Sequence, residues 1–555
     1  MRRDLDGLKD KVFDLAVVGG GIYGAFCAWD AALRGLSCVL LEKDDFGGAT
    51  SANSQRILHG GLRYLQYLDF KRMRESIRER GIWMKIAPHL VRVMPFLMPT
   101  YAHGPRQRWM LRGALMVNDL VGWDRNTGLE DPGRRFPAGA VLSREEVIQR
   151  VPGVKQEGLT GGVIWYDAQM THSERLTLAV VKSAGEAGAR VANYAEVKGF
   201  LRSGSRIAGV RVRDHMRGKT RDISARVILN AGGPWLSRIA GLAGIERQPV
   251  RFTQAVNIVT KPFLKRFSLA TPISGDGPGG ARILCMTPWR DVTIVGTNYF
   301  SLNGNQDARE VSEEKIQTLI DAVNDGCPGA ITRDDVLGVQ SGLLPLASNG
   351  DARGSMGLMS AYSITDHTAE GLEGFISVLG VKYTTARDVA AKTVDRAVKK
   401  LGRSGLRSSS HKTSLAGGSI GHLDSYVRDE IRKRPASLSP DVIRRLIENY
   451  GTGYTEVLEY IKEDGTLIEP LAPGTPVTRA EVVHAVRMEL AQHLADVVFR
   501  RTDLGTQGFP GEAALNACVA IMARELGWDS GESAQELERV MKRFRGQTLC
   551  AESVA

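Results

Sequence analysis

Cysteine is sparse in this chain. Its six cysteines (Cys27, Cys38, Cys285, Cys327, Cys518 and Cys550) never fall into a C-x-x-C pair. That spacing excludes a zinc ribbon and a disulfide framework, and it points to reduced thiols in a cytoplasmic protein. Long apolar runs are missing as well: nothing approaches the roughly 20 residues that span a bilayer, so no transmembrane segment is expected. The opening MRRDLDGLKDK is charged and leads straight into the first apolar stretch. A cleaved signal peptide is therefore not expected. No internal repeat is present. Lys and Arg are interspersed with acids, so the net charge of +11 and the pI near 9.3 leave no nucleic-acid footprint. An anionic membrane surface or an anionic substrate stays open as the partner of that charge. What is there is 43% hydrophobic and 24% charged, the balance of an ordinary folded protein. A chain of 555 residues is too long for one core, and two or three domains are expected.

The stretch from Asp14 to Gly61 organises the rest. Leu15 to Val18 reads as a buried strand, and Gly19, Gly21 and Gly24 complete G-x-G-x-x-G at its end. The first glycine permits the tight turn, the second lets backbone approach a pyrophosphate, and the third lets helix pack on strand. Ala25, Ala28, Ala31 and Ala32 continue a small-faced helix whose N-terminus would hold phosphates. Val39 to Leu41 form a second strand that ends at Glu42, placed to accept the ribose hydroxyls of an adenosine. The loop that follows, GGATSANSQRILHGGLRYLQ, offers Thr50, Ser51, Ser54, His59, Gly60 and Gly61 to a polar cofactor. A nicotinamide enzyme would enter its next βαβ unit at once. The long polar loop argues for FAD, whose reactive ring lies further from the adenosine.

Asp69 to Ala87 reads as a charged helix with Phe70, Met73 and Ile77 on one face, either packed or set against a membrane. Trp109 to Trp123 is apolar and flanked by Arg106, Arg108 and Arg112. It caps a core or lies in a membrane interface. Arg226 to Asn230 is a further strand of the first sheet, running into AGGPW, where Gly232 would bring backbone to the cofactor again. Short alternating runs from about Arg251 to Gly342 suggest an antiparallel substrate-binding sheet. Phe375 to Leu379 then opens onto Gly380, Lys382, Tyr383, Thr384 and Thr385, with a helix carrying Arg387. Residues 406–418 read as a linker, and 419–555 as a helical domain in which Ser439 with Pro440, and Thr478 with Glu481, start helices. Glu481 to Arg500 has helical spacing throughout.

The ordered set GGGIYGA, TSANSQRILHGGLRYLQ, APHLVRVMPFLMP, NAGGPW, GTN, GVKYTTAR and RMELAQHLADVVFRRTDLG resembles the FAD-dependent, quinone-linked glycerol-3-phosphate dehydrogenase family through nearly the whole chain. The resemblance implies an α/β, glutathione-reductase-like FAD fold with an inserted β-rich substrate domain and a helical C-terminal domain. FAD-binding parts would lie at about 1–75, 160–245 and 355–405, and cap parts at about 76–159 and 246–354. It implies oxidation of sn-glycerol 3-phosphate to dihydroxyacetone phosphate, electrons passing to membrane quinone from a protein lying on the inner membrane's cytoplasmic face. A homodimer is left open, and no metal is expected. Arg63 and Tyr64 match family residues near flavin and substrate, as do Lys382, Thr385 and Arg387. Fixed cations suit a phosphate dianion. His59 is the first candidate for the base that takes the hydroxyl proton, with Lys382 or a water as competitors.

Two departures stand out. Leu344 occupies the place of the family's substrate-site arginine, a role that Arg353 or Arg333 would have to assume, and Val381 replaces a second glycine before Lys382. The strand FTQAVNIV also lacks the family's basic residue. Leu344 opens a second reading, a dehydrogenase of another polyol phosphate or of a hydroxy acid. A third is a low-turnover flavoprotein that binds a membrane surface or partner.

Overall fold

The computed structural model describes residues 1–8, 11–101, 108–246, 249–273, 282–302, 310–347, 357–436 and 438–548. The strand Val12–Val18 is buried over nearly its whole length and pairs in parallel on both sides, with Cys38–Leu41 and with Lys219–Asn230. Continuous apolar runs of this kind are what a sheet covered on both faces requires. Phe375–Leu379 adds in parallel beyond Lys219–Asn230, and Arg190–Ala192 beyond Cys38–Leu41. Helices Ile22–Leu33, Ser173–Glu186 and Ala386–Lys400 share one apolar core on one face of this sheet. The first of these helices is the small-faced one foreseen from its alanines, and its residues from Gly24 to Ala32 are buried.

The second sheet is mostly antiparallel. It runs Val336–Pro345, Phe252–Thr260, Val292–Ser301, Arg282–Trp289, Ser268–Ile273, Val91–Tyr101, Leu159–Met170 and Ile57–Leu58 in spatial order. One pair, Ser268–Ile273 on Val91–Tyr101, is parallel. The sheet therefore draws on more of the chain than residues 251–342. Every residue of Phe252–Thr260 is buried, because helix Glu313–Gly326 packs on one side and the central cavity lies on the other.

The C-terminal helices Leu423–Lys433, Pro440–Tyr450, Tyr454–Glu463, Arg479–Glu489, Glu512–Leu526 and Ser530–Thr548 enclose a core of their own. Ser439 caps one by accepting the Val442 N–H, and Thr478 with Glu481 forms a capping box. The expected single helix from Glu481 to Arg500 is interrupted. Leu490 takes a left-handed φ of 57°, and the chain re-enters a helix that widens to a π-turn over Val497–Arg501. Residues 406–418 are packed against the rest: Arg34 binds the Leu406 carbonyl at 2.9 Å, and the Leu415 N–H binds Ile86 O at 2.8 Å. Cys27, Cys38, Cys285, Cys327 and Cys518 are free thiols, and Cys550 lies outside the described residues.

Candidate active site

Parallel α/β sheets bind ligands at the carboxyl ends of their strands. Here those ends are Gly19, Glu42, Ala231 and Gly380, and they open on one cavity of about 750 Å³ that continues to the second sheet.

At one end the cavity wall is mostly backbone. Gly19 has a φ of +106°, and a Cβ there would stand 2.6 Å from Ala231 O. A Cβ on Gly24 would stand 1.8 Å from Gly19 O, so only glycine lets this helix meet its strand. The Glu42 carboxylate accepts the N–H groups of Gly20 (2.6 Å) and Asp44 (2.9 Å). Burial pushes its pKa up to about 7, those backbone bonds working against the rise. Ser51 Oγ accepts the Ile22 N–H at 3.0 Å in the helix's first turn. Gly21, Thr50, Ser54 and Gly232 line the same space, as do Lys43 and Trp235, whose ammonium and ring stand 3.9 Å apart. The residues fit a flavin dinucleotide: a glycine turn and helix N-terminus for the phosphates, a carboxylate for the ribose, and a small-residue stretch at Ala231–Gly233 for a second backbone contact.

The other end is built from side chains drawn together across the chain. Tyr23, in the middle of the glycine motif, donates its hydroxyl to Lys382 O (2.6 Å) and accepts the Lys382 N–H (3.3 Å). A Cβ on Gly380 would fall 1.7 Å from the Tyr23 ring. Trp83 fixes the next turn by donating to Thr384 O at 3.0 Å. Lys382 Nζ then stands 4.6 Å from the centre of the Tyr64 ring, and the His59 and Tyr64 rings are 6.1 Å apart. His59, Gly61, Arg63, Tyr64 and Lys382 all line the cavity. Burial, then the cations Lys382, Arg63 and Arg80, push the His59 pKa down to about 3. Facing them on the second sheet are Thr297, Tyr299, Leu343 and Leu344. Gln55 ties the polar loop to that sheet by donating to Cys285 O (2.7 Å) and Gly296 O (2.5 Å).

Several expectations need correction. Arg387 does not reach the cavity: it is buried in a two-pronged pair with Glu79 at 2.8 and 2.6 Å and donates to Ser410. Thr385 stands one residue beyond the lining, at the start of helix Ala386–Lys400. Gly60 lies behind the wall, its N–H on Asp167 (2.6 Å) and its Cα against Arg80. Arg333 is paired with Glu313 at 2.8 Å and does not stand in for Leu344; Arg353 lies outside the described residues. The strand Phe252–Thr260 does receive a cation, since Lys315 Nζ donates to Gln254 at 2.6 Å.

Tyr23, Gln55 and Asp167 escaped the sequence reading. Asp167 joins Gly60 N–H, Arg80 and Trp165 Nε1 behind His59. Its neighbour Trp165 gave no sign of the role, because the partners that place it, Arg80 and Gly60, are 87 and 107 residues away. For Tyr23 there was a signal: a bulky aromatic amid GGGIYGA has to pack on something.

A profile of the FAD dependent oxidoreductases matches residues 14–381, and one described as the C-terminal domain of alpha-glycerophosphate oxidase matches 408–533. The chain is 31% identical to a glycerol-3-phosphate dehydrogenase of Synechocystis sp., over 97% of each chain. It is 30% identical to glycerol-3-phosphate dehydrogenase 2 of Mycobacterium tuberculosis, covering 98% of this chain and 90% of that one. The X-ray structure of the Bacillus halodurans glycerol-3-phosphate dehydrogenase complexed with FAD matches with a TM-score of 0.79 over 99% and 98% of the two chains, at 23% identity. That likeness carries the fold. Crevice, capping sheet and helical C-terminal domain are thus matched along the whole chain, which belongs to the FAD-dependent glycerol-3-phosphate dehydrogenase family.

Proposed function

We propose that this enzyme oxidises sn-glycerol 3-phosphate to dihydroxyacetone phosphate and passes the electrons to a membrane quinone. The observation that carries the reading is the convergence of Lys382, Arg63, Tyr64 and His59 at the flavin end of the cavity. Bound FAD supplies a two-electron acceptor for the hydride lost from the secondary carbinol carbon. The protein's own residues orient the alcohol and move its proton. Arg63 and Lys382 screen the phosphate, Arg as a planar fork and Lys as a point charge. Tyr64, held beneath Lys382, offers a hydroxyl to the substrate. His59 is neutral over the working range, so its free ring nitrogen can take the hydroxyl proton. Burial, and after it the same cations, make it a weak base in the empty site, and the arriving phosphate dianion offsets the cations' share of that effect. The roles of Gly19, Gly21, Gly24, Glu42, Thr50, Ser51, Ser54, Gly61, Gly232 and Gly380 in holding FAD belong to the same proposal.

Anaerobic mixing tests it. Glycerol 3-phosphate should bleach the flavin band near roughly 450 nm. Leu344 favours a second reading, because it lines the cavity where a guanidinium would hold phosphate. Bleaching by other polyol phosphates or hydroxy acids alone would select that reading.

The membrane part rests on helix Arg108–Val121. Met110, Leu111, Ala114 and Leu115 line the cavity, while Met116, Leu120 and Trp123 are 67%, 73% and 78% exposed, with Leu68 at 72%. An apolar surface continuous with the cavity suits an acceptor dissolved in lipid. Among the described residues no helix is long and apolar enough to cross a membrane; the contact in this proposal is a peripheral one, on the cytoplasmic face of the inner membrane. Arg106 lies outside the described residues; Arg112 is exposed on the helix. Co-sedimentation with anionic vesicles that weakens at high salt is expected, and absence from vesicles at every salt concentration would remove the claim.

A further inference from the structure

The loop from Glu42 to Arg56 carries much of the cofactor end of the cavity, yet near its start it is held by the C-terminal domain. At the first end, the buried Asp45 carboxylate accepts from Arg501 at 2.7 and 2.6 Å, from Arg500 Nε at 2.5 Å and from Asn193 at 3.0 Å. Arg500 and Arg501 are consecutive residues of the π-turn Val497–Arg501. Such widened turns are rare and concentrate at functional sites. Arg500 is held in turn by Asp496, which also accepts the Tyr194 hydroxyl at 2.6 Å. Arg501 Nε donates to Glu489 O at 3.0 Å.

At the second end, Arg56 has a φ of +61°, a sparsely populated region for a side-chain-bearing residue. Such a conformation persists only when its surroundings fix it. Arg56 is fixed by a two-pronged pair with Glu174, both bonds 3.0 Å, and by stacking 4.0 Å from the Trp289 ring. Glu174 lies 3.1 Å from His172, whose other ring nitrogen lies 3.2 Å from Asp503 and from Thr502 O. One C-terminal segment, 489–503, thus holds the loop directly at Asp45 and reaches Arg56 only through His172 and Glu174.

The grip reaches the cofactor contacts in short steps. Phe46, next to Asp45, packs under Gly20, where a Cβ would meet its ring at 2.7 Å. The Gly47 N–H binds Gly20 O at 3.0 Å, and the Asp44 N–H binds Glu42. Moving Asp45 therefore displaces both the phosphate turn and the ribose carboxylate.

We propose that Arg500 and Arg501 are positioning residues for the cofactor: acting through Asp45, they hold the loop Glu42–Arg56 in its FAD-binding form, so that FAD affinity is set in part by the C-terminal domain. The proposal rests on FAD being the cofactor of the crevice. Coupling of this kind is reciprocal, so FAD must also stabilise the segment that grips the loop.

Full-length protein stripped of flavin is titrated with FAD by flavin fluorescence, and melting temperature is read with and without FAD. Arg501→Lys and Asp45→Asn should weaken FAD binding by about tenfold or more and shrink the FAD-induced rise in melting temperature. A dissociation constant within twofold of wild type, beside a lowered melting temperature in both states, would mean a purely structural contact and overturn the proposal. Hydrogen exchange on the wild-type chain decides the matter if neither variant folds. FAD should slow exchange over 489–503 together with 42–56, and unchanged exchange over 489–503 refutes the coupling. A wild-type chain that takes up no FAD would instead defeat the cofactor reading.

Discussion

The two ends of the cavity are built on different principles. At the Glu42 end most of the wall comes from the stretch Asp14 to Gly61, joined by Ala231–Gly233, and glycine does the shaping. At the Lys382 end the contacts come from side chains at positions 23, 55, 59, 63, 64, 83, 167 and 382, joined only by the fold. The first end tolerates almost no change of shape; the second tolerates change of shape and responds to change of charge.

Gly24→Ala should break the first end outright. The added methyl meets backbone at 1.8 Å, and overpacking of this kind costs several kcal/mol when the obstacle cannot move; purified protein is expected to be colourless. Gly380→Ala should behave alike, with one difference. Its obstacle is the Tyr23 ring, so Gly380→Ala with Tyr23→Ser should recover flavin content that neither Gly24→Ala nor Gly380→Ala retains.

Lys382→Ala tests the second end. Yellow protein is expected, with kcat/KM for glycerol 3-phosphate lowered by about 10²-fold, the loss of a charged contact of roughly 3 kcal/mol. Leu344→Arg should act in the opposite sense. It is expected to lower KM for phosphorylated substrate about tenfold, while an unchanged KM would show that another cation already serves.

The pH response acts on the stability of the whole chain, outside both ends of the cavity. His59, His89 and His484 are held neutral by burial, with pKa values near 3, 3 and 4, below the ordinary 6.5. The unfolded chain takes up these protons as pH falls through 6.5 and the folded chain does not. Stability is therefore full above pH 6.5 and declines toward pH 4, at roughly 1 kcal/mol per pH unit for each of the fully buried His89 and His484. Denaturant titrations at pH 7.5, 6 and 5 would show it. The pH profile of kcat/KM should carry no inflection from His59 near 6.5, because His59 in the free enzyme does not titrate there; the substrate phosphate, with a second pKa of about 6, supplies the inflection expected in that region.

Legibility followed the same divide. Glycine spacing, the acid after the second strand and the caps at Ser439 and Thr478 are local signals, and each was readable in sequence. Arg387 looked like a substrate cation because it matches a family residue near flavin and substrate, just after Lys382 and Thr385. Its real partner, Glu79, is 308 residues away, and only the fold shows that a buried carboxylate already neutralises it. The break at Leu490 was hidden for a similar reason. Helical spacing continues across it, but the contacts of Asn193 with Leu490 O and of Asp45 with Arg501 reward the interruption. Tyr23 gains its role from Lys382 and Gly380, and Asp167 chiefly from Arg80 and Gly60, all distant in sequence.

The strand order has a consequence for synthesis. Val12–Val18 emerges first but waits for Lys219–Asn230 and then for Phe375–Leu379 before the crevice beside it has both walls. At about 5–20 residues per second on the ribosome, roughly 20–70 s separate the first strand from the third. During that interval the glycine turn gains its two partner strands, Cys38–Leu41 and then Lys219–Asn230, but not the wall at Gly380 and Lys382, so the nascent chain has no complete seat for its cofactor until more than two thirds of it has been made.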